Sequence, residues 1–299
     1  MEFLKVGHCT RAAEGTGVTV FLFTVPAKGT YLVCGSSPAT HELATLELDA
    51  NVTHVDALLF TGGSAFGLSA VSGVMRWCQE QQKGHPTSQG AVPIVPAAGL
   101  YDLGVGQPSV PTADDAYAAC QAAYENNILQ GNIGAGTGAS IGKLVPHAER
   151  MRGGLGYAEL ALDKGVMVSA YVAVNALGDV RDASGQIIAG ARWPNGEFAN
   201  CERHLLSGQT PAISPSSNTT LVAVFTNVDF SKIQLRRIAK VAMAGMARAI
   251  SPVFTRYDGD IIFCFSLGKH HASEEVVSTM AAEAVRQAIV NSVQNSVVI

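Results

Sequence analysis

This 299-residue sequence predicts an α+β fold, and three observations predict it. Short apolar runs that read as strands alternate with longer runs of helical spacing. The last third of the chain has the order strand, helix, strand, helix, which makes a compact αβ unit. Hydrophobic residues make up 47% of the chain and charged residues 15%, apolar enough to bury strands on both faces.

The elements follow in order. Val18 to Val25 and Tyr31 to Cys34 read as strands around a turn at Pro26-Ala27-Lys28-Gly29. Ala57 to Phe60 is a short apolar strand, broken by Thr61-Gly62-Gly63-Ser64. A helix runs from about Phe66 to Gln82, with Phe66, Ala70, Val74 and Trp77 at helical spacing. Val92 to Val95 reads as a buried strand, and Ala113 to Tyr124 as a helix whose Asp114-Asp115 suit its positive N-terminal end. Tyr157 to Leu162 and Val166 to Val174 form a strand pair around Asp163-Lys164-Gly165. Residues 176 to 217, rich in Gly, Pro, Ser and Asn, carry no strong core signal. Leu221 to Phe225 is a strand, Asp229 to Ile250 a helix, Ile261 to Leu267 a strand, and Ser273 to Val290 a helix capped by Ser273 with Glu274-Glu275.

Composition excludes several classes. Net charge is −4 and no basic stripe is present, which argues against a nucleic-acid partner. Met1-Glu2-Phe3-Leu4-Lys5 lacks the pattern of a secretion signal, and no stretch reaches the ~20 apolar residues of a membrane helix, so the expected location is cytoplasmic. Six cysteines without CxxC spacing read as free thiols in a reducing compartment. Eight histidines without HExxH give no metal site. The scarcity of charge predicts that part of the surface is covered in a homo-oligomer.

Four motifs carry candidate chemistry. The run Gly131 to Lys143 fails the P-loop pattern, because the first required glycine falls on Thr137 and Leu144 follows Lys143. Gly134 to Ala139 satisfies G-x-G-x-x-A, but Asn126 to Gln130 makes a poor buried strand before it, so close backbone approach is the better reading of these glycines. Leu58 to Gly67 resembles a nucleophile elbow, although Phe66 stands where the pattern needs glycine; Ser64 is then a helix N-cap or the nucleophile of a serine hydrolase. Asn218-Thr219-Thr220 reads as an ordinary loop, as a glycosylation sequon that is idle without secretion, or as a self-cleavage site. In the last reading the Thr219 hydroxyl attacks the preceding carbonyl, and the α-amine so freed, with a pKa of roughly 7.7, serves as base for its own hydroxyl. Asp258-Gly259-Asp260 reads as a turn, or as two carboxylates that orient an ammonium group.

Several stretches act together: Val6-Gly7-His8 with Gly15 to Val20, Thr61 to Leu68, Gly134 to Ala139 through Gly142-Lys143, Asn218 to Leu221, and Tyr257 to Asp260 before an apolar strand. In this order they span nearly the whole chain. They resemble the P1 family of N-terminal-nucleophile peptidases and amidases, which includes L-aminopeptidase/D-esterases, β-peptidyl aminopeptidases and nylon-oligomer hydrolases.

The resemblance implies a four-layer αββα sandwich and one domain over 1–299, self-cleaved into 1–218 and 219–299. It implies that the cut falls between Asn218 and Thr219, with Thr219 as nucleophile. Tyr101, Lys143 and Asn175 correspond to the family's site tyrosine, the lysine ending the glycine loop and an oxyanion-binding asparagine. Asp258 and Asp260 correspond to the acidic pair of the nylon-oligomer branch. Gly62, Gly63, Ser64, Gly136 and Gly138 are expected to line the substrate pocket. The implied activity is hydrolysis of small peptides, amino-acid amides or ω-amino-acid oligomers, with no metal and no organic cofactor. The expected partners are the chain's own processed subunit and further processed heterodimers, often four. Against it stand a non-catalytic or dinucleotide-binding protein using the 131–143 loop, and a serine hydrolase using Ser64.

Overall fold

Strands that are apolar at every position need cover on both faces, and this fold supplies it. The computed structural model describes residues 1–211 and 218–295. Its principal elements are β1 (Leu4–Arg11), β2 (Thr16–Val33), β3 (Val55–Thr61), α1 (Val71–Glu80), β4 (Ala97–Gly99), α2 (Ala113–Gln121), β5 (Gly154–Ala161), β6 (Met167–Asn175), β7 (Thr219–Val228), α3 (Lys232–Ala249), β8 (Ile261–His270) and α4 (Glu274–Gln294).

One sheet runs β5-β6-β7-β8 and then the second half of β2. The other takes the first half of β2 together with β1, β3, β4 and the edge strand Ala39–His41. β7 and β8 are parallel and joined by α3, and β3 is parallel to β4; the remaining pairings among these strands are antiparallel.

Alternation along each strand divides its side chains between two cores. Leu221, Ala223 and Phe225 of β7, Ile261, Phe263 and Phe265 of β8, and Phe21 and Phe23 of β2 meet between the sheets. Val222 and Val224 face the other way with Ile262 and Cys264, under Leu235, Ile238 and Ala242 of α3 and Val277, Ala281 and Val285 of α4. On the far side, Val18, Val20, Ala57 and Leu59 lie under Val74 and Cys78 of α1 and Ala116 and Ala119 of α2. Three apolar cores therefore separate four layers, helix–sheet–sheet–helix, and the fold is the expected αββα sandwich. Helix starts are fixed by Thr112, Ser231 and Ser273, whose side chains accept from backbone N–H groups of the first turn.

Several expectations need correction. Pro26-Ala27-Lys28-Gly29 is not a turn: β2 runs through it, changing from one sheet to the other. Proline is tolerated because Thr24, Val25 and Pro26 pair with no strand there, so its missing N–H costs no ladder bond. The helix expected from Phe66 is broken into Ser64–Gly67, a 3-10 turn Leu68–Ala70 and α1. Val92 to Val95 is not a buried strand: Val92 is exposed in a small hairpin, and the strand that enters the sheet is β4. The 176–217 region does hold a core, in which Leu177, Ala191 and Cys201 pack with Leu144 and Val145. Its helix Cys201–Leu206 is capped by Asn200. Residues 212–217, including Ser216-Ser217 before the expected cut, lie outside the described residues.

Candidate active site

Sheet direction assembles the site. β6 and β7 are antiparallel, so the last residue of β6, Asn175, pairs with the first residue of β7, Thr219. β8 runs parallel to β7, so the turn that precedes it, Asp258-Gly259-Asp260, reaches the same edge. Asn218 forms a bridge with Asp258 there.

Thr219 is 4% exposed and its hydroxyl donates to the Asn218 carbonyl oxygen at 2.6 Å. Asn175 is fully buried and held on three sides. Its Nδ2 donates to the Tyr101 carbonyl at 3.0 Å, and its Oδ1 accepts from Ser140 N–H at 3.0 Å and from Lys143 Nζ at 2.7 Å. Lys143 also donates to the Asn175 carbonyl at 3.0 Å. Lys143 as a whole is half-buried, and its amine is enclosed. Burial drives its pKa well below the usual value, and Arg150 adds to this against the pull of Asp258, Asp102 and Asp260. An amine pushed toward its neutral form therefore stands next to the asparagine that pairs with Thr219.

The two acidic groups are locked by backbone N–H donors and one hydroxyl. Thr255 N–H and Oγ1 donate to Asp258 Oδ2 at 2.8 and 2.6 Å, and Thr220 N–H donates to Asp260 Oδ1 at 2.6 Å. Burial, then repulsion from Asp258, raises Asp260 to about 8. Burial also raises Asp258, and Lys143 and the Thr255 donors offset part of that.

Thr219, Asn175, Lys143, Asp258 and Asp260 thus lie together. Tyr101 joins them through its backbone carbonyl, while its side chain is 36% exposed. The adjacent Asp102 was not singled out from the sequence. It is 3% exposed, accepts from Thr16 Oγ1 at 2.7 Å and Gly63 N–H at 2.6 Å, and bears on Lys143. A charged residue two positions after the buried Gly99-Leu100 run was its only sequence signal.

The glycines are closely packed on their Cβ side. A Cβ on Gly136 would meet Leu155 N at 2.2 Å, one on Gly138 would meet Gly15 O at 1.9 Å, and one on Gly62 would meet Asp102 Oδ2 at 2.1 Å. On the side where a Cβ would stand, these positions are filled by the chain itself. The same packing corrects the dinucleotide alternative: the run enters a 3-10 turn, Gly134–Gly136, and not the helix N-terminus that a pyrophosphate needs. Gly63, at φ 76, occupies the N-cap position, and Ser64 follows it at φ 54 with no side-chain cap bond. Among the described residues no hydrogen bond joins a histidine to Ser64.

A family model described as peptidase family S58 matches residues 2–299. The chain belongs to peptidase family S58. An S58 relative, an uncharacterized aminopeptidase of Mycobacterium leprae, is 37% identical over 293 residues, covering 90% of this chain and 78% of the relative. A 6-aminohexanoate-oligomer endohydrolase of Paenarthrobacter ureafaciens is 30% identical over 217 residues, covering 69% of this chain and 59% of the relative. Among solved structures, the L-aminopeptidase D-Ala-esterase/amidase of Ochrobactrum anthropi, described as a variant of the Ntn-hydrolase fold, superposes with a TM-score of 0.74. It is 18% identical, with 99% of this chain and 85% of that chain covered. A β-aminopeptidase of Burkholderia sp. gives 0.72 at 19% identity, covering 97% and 83%. This S58 chain is therefore an amide-hydrolysing enzyme of Ntn-hydrolase fold. Among the described residues no helix is long and apolar enough to cross a membrane.

Proposed function

We propose that the chain is a self-processing aminopeptidase/amidase that cuts its own Asn218–Thr219 bond and then uses Thr219 as an N-terminal nucleophile. The observation that carries this reading is the buried Thr219 hydroxyl, 2.6 Å from the carbonyl oxygen of the bond to be cut and paired across the sheet with Asn175.

The two reactions need different bases. Before the cut, the Thr219 nitrogen is an amide and cannot take a proton. The Lys143 amine, bonded twice to Asn175 and held by burial toward its neutral form, is the group suited to receive the hydroxyl proton. The proton passes to the Thr219 nitrogen as the C–N bond breaks, and an ester on Oγ1 results. Water then opens the ester, leaving the Asn218 carboxyl and the Thr219 hydroxyl. A second incentive is local: both polar atoms of the buried Asn218 side chain lack a hydrogen-bond partner among the described residues. Such a group costs about 1–3 kcal/mol, which is relieved once Asn218 is free to leave.

After the cut, the α-amine of Thr219 is the base, and Asp258 and Asp260 hold its charged form in place. The side-chain amide of Asn175 is the donor for the substrate oxyanion. The substrate class is small peptides, amino-acid amides or ω-amino-acid oligomers. Incubation of the purified protein with amino-acid anilides, β-peptides and ω-amino-acid oligomers tests it; no release from any of the three would reject the reading.

Asn175→Ala is expected to slow turnover by about 10²–10³, the usual loss of one oxyanion donor, while leaving the cut largely intact. An unchanged kcat would remove Asn175 from the site. A pH effect follows from Asp260 in a chain kept uncut by Thr219→Ala. The folded carboxyl keeps its proton to about 8, whereas the unfolded one releases it near 3.8. The folded state binds more protons in that window, so its stability falls as pH rises through it. Melting curves from pH 4 to 8 should therefore descend more steeply with Asp260 than with Asp260→Asn; parallel curves would contradict the shift.

A further inference from the structure

The carbonyl oxygen of Asn218 accepts two hydrogen bonds, one from the Thr219 hydroxyl at 2.6 Å and one from the Gly259 N–H at 2.8 Å. We infer that the Gly259 N–H is the oxyanion donor of chain cleavage, an inference that rests on the proposed cut at Asn218–Thr219. When the hydroxyl oxygen attacks the Asn218 carbonyl carbon, its proton departs and its own hydrogen bond to that oxygen is lost. Negative charge then collects on an oxygen whose remaining partner in this pair is the Gly259 amide. The charge collapses as the C–N bond breaks, the nitrogen takes the proton, and the acyl group moves from nitrogen to Oγ1 with no atom gained or lost. Water enters only in the later opening of the ester.

A useful oxyanion donor has to be fixed before the charge arrives. Gly259 is fixed by its neighbours: the Asp258 carbonyl accepts from Ser36 and Ser37 N–H at 2.8 and 3.0 Å, and the Asp260 carbonyl accepts from Cys34 and Gly35 N–H at 2.8 and 3.0 Å. The side chains of both aspartates are tied to backbone as well. Four backbone bonds from the segment after β2 thus clamp the turn on both sides of the donor. Residue 259 is glycine for a steric reason, since a Cβ there would lie 2.8 Å from Thr219 Oγ1, in the space the attacking oxygen occupies. Gly259 would act on the chain's own peptide bond, and Asn175 on the substrate.

The test removes one hydrogen atom. Replacing Gly259 by glycolic acid turns its amide into an ester, which deletes the N–H and adds no side chain. The small fragment should then appear about 10²–10³ more slowly than in wild type, in a chain that melts like the uncut Thr219→Ala protein. A folded ester variant that cuts at the wild-type rate overturns the inference. A wild-type chain that stays intact in the parallel sample sinks the self-cleavage reading itself, and this inference with it. If the ester variant does not fold, hydrogen exchange decides without any change at 259. The Gly259 amide should be protected in uncut Thr219→Ala and exchange faster by about tenfold or more in the cut wild type. Unprotected exchange in the uncut chain overturns the inference.

Discussion

Thr219→Ala is expected to yield one uncut chain of 299 residues that folds and hydrolyses no amide, whereas the wild type is expected to run as residues 1–218 and 219–299. The small piece then has 299 − 218 = 81 residues and begins Thr219-Thr220-Leu221. Alanine lacks both the hydroxyl and the γ-methyl, so the 2.6 Å contact to the Asn218 carbonyl is lost, while the ladder of β7 to β6 and β8 is made by backbone and stays. Thr219→Ser keeps the attacking oxygen and is expected still to cut, more slowly, because threonine's methyl limits the rotamers available. Denaturing gels, intact mass and N-terminal sequencing read all three. An intact wild-type chain that still hydrolyses amides, or an active Thr219→Ala, would falsify the mechanism and return attention to Ser64.

Lys143→Met comes next in expected effect. It keeps a flexible apolar stem in the loop but removes the amine that bonds twice to Asn175. Self-cleavage should fall by about 10²–10⁴, the usual worth of a positioned base. Stability should change little, because the buried amine is already held toward its neutral form. To separate processing from turnover, residues 1–218 and 219–299 are produced together as two chains, which bypasses the cut. A loss of cutting with normal turnover in the paired chains assigns Lys143 to processing alone; a loss of both assigns it to both reactions. Cutting at the wild-type rate would exclude Lys143 as the base.

The sequence was most legible where periodicity and chain order agree. The αβ unit from Leu221 onward appears with its elements in place, because each strand is a solid apolar run and Ser231 and Ser273 announce the helices. Legibility failed where tertiary context overrides local signals. Pro26 and Gly29 spell a turn, yet the strand continues because a change of sheet asks for unpaired positions, and Gly29 leaves room for the Phe265 ring, which a Cβ would meet at 2.4 Å. The glycines of 134–138 look like a ligand cradle, but packing against β5 and the Gly15 turn requires the same residues. Asp102 was invisible because its partners, Thr16 and Gly63, are distant in sequence, and Gly259 because its hydrogen bond depends on the parallel register of β7 and β8.

The strand order β6-β7-β8-β2 has a consequence for what a cut chain can be. β7 and β8 both lie after residue 218, yet each is flanked on its outer side by a strand from before it. The two pieces of a severed chain are therefore interleaved like the fingers of clasped hands, and parting them would unzip two ladders and strip α3 and α4 from a shared core. A ribosome-made N-terminus would have to be threaded into that position between occupied lanes before the sheet closed. A terminus created after folding arrives already seated, with no assembly step and no exposed strand edges to aggregate on the way.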